Sequence, residues 1–120
     1  CQKAGEMGDR LTTGLQEIIA KYGLPFVAWN EGSVCHLETV GTMHYVVDWK
    51  RPWTIPGVLS ATSERKKEMQ YMGAAYMAEG LVTLAGSRLY TSAAYTPKMI
   101  DQALQCFDKV LANVAVKPAE

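Results

Sequence analysis

The spacing of apolar residues changes abruptly after Tyr22, and this change constrains the fold more than any other feature. From about Glu6 to Tyr22, apolar residues recur with a period of 3.6 and predict a helix with one buried face. Gly23 and Pro25 then end the helix, as a C-cap glycine followed by a proline often does. Residues 33–39 alternate between polar and apolar, as a half-buried strand does. The predicted buried helix face consists of Leu11, Leu15, Ile18, Ile19 and Tyr22.

Two more helices are predicted further along the chain. The second runs from about Ser63 to Glu79, because Ser63 can cap its N-terminus. The third runs from about Pro97 to Asn113, with Thr96 as the N-cap and Pro97 at the first helical position. Their predicted buried faces are Met69, Met72, Ala75, Tyr76 and Met77 in the second helix, and Ile100, Leu104, Phe107, Leu111 and Val114 in the third.

Short strands are predicted between the helices. They comprise residues 25–29, 33–39 and 43–49 before the second helix, and 81–84 and 89–93 after it. Asn30-Glu31-Gly32 is predicted to be a turn in which Gly32 takes a positive φ. Residues 50–60 hold two prolines and a glycine and are predicted to be a loop. The sequence therefore predicts a single α+β domain, with a small, mostly antiparallel sheet and three helices packed on one face.

Length, charge and cysteine content limit the function classes. The 120 residues fit one domain, and the 12 basic residues balance the 12 acidic ones. Without a cationic excess, the chain is a poor candidate for binding nucleic acid or an anionic membrane. No apolar run approaches the roughly 20 residues of a membrane span. Three widely spaced cysteines and no CxxC motif indicate a reduced, cytoplasmic protein.

The residues do not form a recognisable active site of their own. Cys35, His36 and His44 are close in sequence, but adjacent strand residues face opposite sides, so Cys35 and His36 cannot easily share a metal ion. Ser33 follows Gly32 without a G-x-S-x-G motif or an evident base. No phosphate-binding glycine motif and no carboxylate pair is present. The tryptophans could line a pocket and the methionines of the second helix could contact a cofactor, but packing in the core is the simpler interpretation of both.

Five short motifs nevertheless resemble one protein family in their order and spacing. They are GDRLTTGL (8–15), YGLP (22–25), NEGSVCHL (30–37), EGL (79–81), and YTSAAYT (90–96) followed by ID (100–101). These are similar to G-x-x-L-x-x-G-L, H-G-L-P, G-x-G-S-M-F-x-x, R-G-V and F-x-S-x-A-H-T-x-x-D-I-D. That series belongs to the C-terminal small domain of class III pyridoxal-phosphate aminotransferases, especially the glutamate-1-semialdehyde aminomutase branch. Tyr95 replaces the family's histidine, and Val34-Cys35 replaces its Met-Phe.

The resemblance implies the C-terminal domain of a longer enzyme of aminotransferase fold type I. In that family the lysine that forms a Schiff base with pyridoxal phosphate lies in a large domain, which would precede Cys1. We therefore expect a C-terminal fragment that is not catalytic alone and carries no cofactor, although the intact parent would use pyridoxal phosphate. The missing large domain would be its main partner. Surface exposed by its loss would promote a homo-oligomer.

The resemblance also singles out candidate substrate-binding residues. Class III aminotransferases hold the substrate carboxylate with an arginine in the pattern R-x-x-P-S/P-L. The segment from Arg88 to Ala93 is similar to that pattern, with Thr91 in place of the proline. A guanidinium suits this role because it meets a carboxylate in two parallel hydrogen bonds. A solvated strand-end arginine is the alternative for Arg88. Gly32 and Ser33 are further candidate substrate contacts, with a plain hairpin turn as their alternative.

Two functional hypotheses from different classes follow. The first is the substrate-side, lid-like and dimer-supporting domain of an aminotransferase or aminomutase. The second is a free-standing, non-catalytic α+β module of the same ancestry that binds or oligomerises. An unrelated small enzyme would need a pocket with perturbed titratable groups. The sequence shows no such constellation.

Overall fold

The computed structural model describes residues 1–39, 50–84 and 86–115. Its elements, in chain order, are α1 (Gln2–Tyr22), β1 (Val27–Glu31), β2 (Val34–Glu38), a 3₁₀ turn (Pro52–Thr54), α2 (Ile55–Ala78), β3 (Arg88–Tyr90) and α3 (Pro97–Ala115). The predicted strand at 43–49 lies outside the described residues. The α+β fold predicted from the sequence is confirmed.

The sheet is antiparallel throughout the described residues, with strand order β1-β2-β3. A two-residue turn, Gly32–Ser33, joins β1 to β2, because Glu31 pairs with Val34. Asn30 and Glu31 therefore belong to β1, and the turn lies later than predicted. Gly32 has the positive φ that was predicted, 58°. At such an angle a side chain would be strained, which accounts for glycine there.

The core lies between one face of the sheet and the helices. α1 packs against both β1 and β2 and also against α3, so it occupies the centre of the domain. Phe107 of α3 meets Tyr76 of α2 edge to face, with ring centroids 5.0 Å apart. The sheet contributes Ala28, Cys35, Leu37 and Leu89 to the buried apolar core. α1 contributes Met7, Leu11, Leu15, Ile18 and Ile19, and α3 contributes Ile100, Phe107, Val110 and Leu111.

The second helix begins earlier than the sequence predicted. α2 starts at Ile55, so Ser63 is not its N-cap, and the predicted loop at 50–60 is wrong for its second half. The reason is that Pro56 lies in the first turn of the helix, where a missing N–H breaks no intrahelical hydrogen bond. Met72 and Tyr76 are buried as predicted, whereas Met77 is 64% exposed.

The predicted strand at residues 81–84 is also wrong. Within that segment only Leu84 pairs with a strand residue, as an isolated bridge to Arg88. The N–H of Leu81 donates to the carbonyl of Tyr76 at 2.9 Å, so the chain is still held by the end of α2 at this point. Along the rest of its outer edge, β3 has no neighbouring strand among residues 1–39, 50–84 and 86–115.

Backbone groups of α1 lie directly against the β1–β2 turn. A Cβ atom placed on Gly8 would lie 2.2 Å from the carbonyl oxygen of Gly32, which explains the glycine at this position. The thiol of Cys35 is directed at the Gly8 carbonyl, with the sulfur 3.5 Å from the oxygen. Nearby, the hydroxyl of Thr91 donates to the carbonyl of Ala4 at 2.7 Å. The start of α1 therefore fixes the turn and the end of β3.

Candidate functional site

Arg88 lies on the sheet face that points away from the helices. Successive strand residues face opposite sides, and buried Cys35 and Leu89 define the inner side. The register pairs Trp29 with His36, and His36 with Arg88. These three residues therefore form one row across the outer face, which we call the Trp29–His36–Arg88 row.

Two members of this row are stacked on each other. The rings of Trp29 and His36 lie 4.0 Å apart at their centroids, with an interplanar angle of 9°. Trp29 is nevertheless 44% exposed, which leaves part of the indole open to a ligand or a neighbouring surface. Cys35 and His36 lie on opposite faces of the sheet, as the sequence predicted, while His44 lies outside the described residues.

The guanidinium of Arg88 is exposed and makes no hydrogen bond or ion pair within the part of the chain that the structure describes. A nearby carboxylate on the same face, Glu38 of β2, is already paired with Arg65 of α2. The side chain of Glu38 is only 14% exposed, so this ion pair is partly shielded from solvent. Arg88 can therefore offer its full fork of donors to an external anion.

The Gly32–Ser33 turn lies at the other end of β3 from Arg88. Its position is fixed by Thr91, whose N–H donates to the Ser33 carbonyl at 2.9 Å. Arg88 is three residues from Thr91, which at about 3.3 Å per residue places it roughly 10 Å from the turn. The two candidate contacts therefore lie at opposite ends of β3, and an elongated ligand lying along that strand could reach both.

An apolar groove lies on the far side of β3, with a volume of about 440 Å³. One wall is formed by residues 89–91, the other by residues 80–82, and the floor by α3. None of the residues that line it is charged. They are Leu11, Gly80, Leu81, Val82, Leu89, Tyr90, Thr91, Tyr95, Met99, Ile100, Gln102, Ala103, Cys106 and Phe107.

The buried titratable groups belong to the core rather than to the groove or the row. Burial raises the pKa of the Cys35 thiol, which therefore stays protonated at neutral pH. Burial also raises the pKa of the Tyr76 hydroxyl well above its ordinary value. Among the described residues there is no group of three or more His, Cys, Asp or Glu side chains that could hold a metal ion.

Comparison with known proteins finds a likeness among solved structures. No family model matches the chain, and no curated protein does. Among solved structures, it resembles an omega-transaminase from Sphaerobacter thermophilus with a TM-score of 0.67 and 14% identity. The likeness covers 92% of this chain and 23% of the transaminase chain. The chain has the fold of one part of a transaminase. At this identity the likeness is evidence for the fold alone.

The transaminase-like fold places on one sheet face two residues that the sequence analysis did not connect with Arg88. The sequence indicated a packing or pocket-lining role for Trp29, and for His36 either a metal ligand or a histidine on the polar face. Their pairing was available from the sequence once the two-residue turn is placed at Gly32–Ser33, because the register of a hairpin follows from its turn.

In the described parts of the chain, no helix is both long and apolar enough to cross a membrane.

Proposed function

We propose that residues 1–120 form the C-terminal, substrate-side domain of a pyridoxal-phosphate-dependent class III aminotransferase or a glutamate-1-semialdehyde aminomutase-like enzyme. The observation that carries this proposal is the likeness of nearly the whole chain to 23% of a transaminase chain. In this proposal the domain closes over a site in a large domain that lies outside residues 1–120. It also supports a homo-oligomer, and the enzyme is cytoplasmic.

Pyridoxal phosphate, when bound, would supply an electron sink that stabilises negative charge at the carbon bearing the substrate's amino group. Such a site needs a lysine in an enclosed pocket. Every lysine in the described residues is exposed, and none lines the apolar groove. Lys21 and Lys109, for example, are paired with Asp108 and Glu79 on the surface. Among the described residues none offers such a lysine, so the proposal assigns it to the large domain.

The proposal gives Arg88 the role of holding the substrate carboxylate. Arg88 lies on an open face, where it pairs across the sheet with His36, and His36 is stacked on Trp29. Tyr90 lies two residues further along the same strand. The aromatic rings offer apolar surface to the rest of the substrate, while the arginine fork fixes the acid group. A hydrogen bond to a charged group contributes about 1.5–3 kcal/mol, which corresponds to roughly 10- to 100-fold in affinity.

The coding sequence upstream of Cys1 is the first test. About 300 additional residues there, with a lysine at the end of a strand, would support the enzyme. A start only a few codons upstream would favour the free-standing binding or oligomerisation module instead. The chain 1–120 alone is expected to form no stable, stoichiometric cofactor adduct and to transfer no amino group. Either activity in the isolated chain would overturn the division of labour proposed here.

The second test measures the role of Arg88 in the intact enzyme. Arg88→Leu should raise KM for an amino-acid donor by about 10- to 100-fold, whereas an amine donor without a carboxylate should be unaffected. Lys98→Leu is the matched control, because Lys98 is another exposed cation, at the start of α3. If Arg88→Leu leaves KM for the amino acid unchanged, Arg88 is a solvated surface charge.

A further inference from the structure

The two edges of the sheet differ in how their backbone groups are satisfied. At the β1 edge, the side-chain amide of Gln16 donates to the carbonyl of Ala28 at 2.9 Å, so α1 covers part of that edge. At the β3 edge, Leu84 exchanges two hydrogen bonds with Arg88, at 2.9 and 3.1 Å. Beyond that bridge, no other segment of the described chain pairs with the outer edge of β3.

Residues along β3 alternate between bonding to β2 and facing the open edge, and the observed hydrogen bonds show which residues do which. Thr91 N–H donates to Ser33, and the Ser87 carbonyl accepts from Leu37, so the alternate residue Leu89 also faces β2. Arg88 and Tyr90 must then face outward. Arg88 does so, because both of its backbone groups bond to Leu84.

Tyr90 is therefore left with an N–H and a C=O that point away from the sheet and have no partner among the described residues. The apolar groove lies directly beside them, with Tyr90 in one wall and Val82 in the other. Val82 is 86% exposed, and Leu81 is tied to α2 through its N–H. The chain's own segment therefore pairs with this edge only through Leu84, and residues 81–83 make no backbone hydrogen bond to it.

We propose that the open edge of β3 and the apolar groove together bind an extended strand supplied by polypeptide outside residues 1–120. The backbone of that strand pairs with Tyr90, and its alternate side chains enter the groove. Because no charged residue lines the groove, the inward side chains are uncharged and apolar; an unpaired charge there would lose its hydration. This site lies along the outer edge of β3, whereas the Arg88 guanidinium lies on the open face of the sheet, and it does not depend on the proposed enzymatic function.

A second copy of the chain fits this edge less well. β3 has three residues, and Arg88 is already paired with Leu84, so within β3 only Tyr90 could exchange hydrogen bonds with its symmetry mate. A foreign strand is not limited in this way, since it can extend along the groove past Val82 and over α3. The groove volume of about 440 Å³ gives room for several of its side chains.

A displayed library of random peptides, each about eight residues long, tests the proposal when it is panned against the chain. We expect the selected peptides to carry apolar, uncharged residues at alternate positions. Their binding to Tyr90→Pro should be weaker by about tenfold or more, because proline removes the outward N–H and disturbs no bond to β2. Tyr90→Val is the matched control, which keeps the N–H, and it should retain binding. Ala103→Trp should also abolish binding by filling the groove.

Several outcomes would overturn the proposal. One is a library that yields no peptide, and another is a set of peptides that bind Tyr90→Pro as well as they bind Tyr90→Val. A Tyr90 amide that is already protected from hydrogen exchange in the chain alone would show that residues 81–84 or a second copy cover the edge. Light scattering then separates these two, because only a second copy gives a dimer that Tyr90→Pro dissociates. Circular dichroism of each variant confirms that it is folded.

Discussion

The contact between α1 and the β1–β2 turn makes a quantitative prediction about Gly8. In Gly8→Ala the new Cβ would lie 2.2 Å from the Gly32 carbonyl oxygen and 3.2 Å from its carbon. A comfortable carbon–oxygen contact is about 3.3–3.6 Å, so helix and turn must separate by roughly 1 Å. Both partners are backbone, and no flexible side chain can relieve the clash.

The expected cost combines two opposing effects. Overpacking of this kind destabilises a protein by about 1–3 kcal/mol. Alanine in place of an interior helical glycine stabilises by roughly 0.8–1 kcal/mol. The Gly8 carbonyl also accepts a hydrogen bond from the Cys35 thiol, and moving the helix would disturb this contact. We therefore expect the free energy of unfolding to fall by about 1–2 kcal/mol in total. In urea this lowers the unfolding midpoint by about 1 M for a slope typical of a small domain.

Gly57→Ala is the matched control for this experiment. Gly57 also lies in a helix, α2, but a Cβ there would meet nothing within 4 Å. It should leave stability unchanged or raise it by up to about 0.5 kcal/mol. Urea unfolding followed by far-ultraviolet circular dichroism measures both variants. If Gly8→Ala is as stable as Gly57→Ala, then α1 does not press against the turn, and the reasoning about how the turn is positioned fails.

Other contacts give three further predictions. Tyr76→Phe should leave stability unchanged or raise it by up to about 1 kcal/mol, because the buried hydroxyl has no hydrogen-bond partner among the described residues; a clear loss in urea unfolding would contradict this. Thr91→Val should cost about 1–2 kcal/mol through the lost bond to Ala4, while Thr91→Ser should recover most of it. Arg10 holds the pKa of Asp101 below its ordinary 3.8, so their surface pair adds stability above that pH and loses it as the pH falls through the lower folded value. Asp101→Asn should remove this small, salt-screened contribution to the pH dependence of stability. If stability depends on pH identically in the variant and the original protein, the pair contributes nothing.

The sequence predicted the elements whose local signals agree with their burial. α1 ends at Gly23, and α3 begins at Pro97 with the Thr96 hydroxyl accepting from the N–H of Met99, both as predicted. In each case one capping residue and one apolar stripe indicate the same boundary. Four of the five α1 residues predicted to be buried are buried, and the fifth, Tyr22, is half-buried. Met7 is also buried and was not predicted to be.

The failures occur where local signals are ambiguous. Pro52 and Pro56 indicate a loop when considered alone, but a proline is tolerated in the first turn of a helix, and α2 uses Pro56 there. Residues 81–84 have strand-like composition, but Leu81 is held by the end of α2 instead. Strand formation at that point depends on tertiary contacts, which no local pattern encodes.

The candidate sites were predictable to different degrees for the same reason. Arg88 was singled out through a family resemblance, and its function remains a prediction. Its neighbours Trp29 and His36 follow from hairpin register, which one correctly placed turn would have supplied. The open edge at Tyr90 could not be predicted, because it exists only where the expected strand at 81–84 fails to form. The wrong strand prediction and the proposed docking edge have one structural cause: residues 81–84 pair with β3 only at Leu84, so the outward backbone groups of Tyr90 have no partner among the described residues.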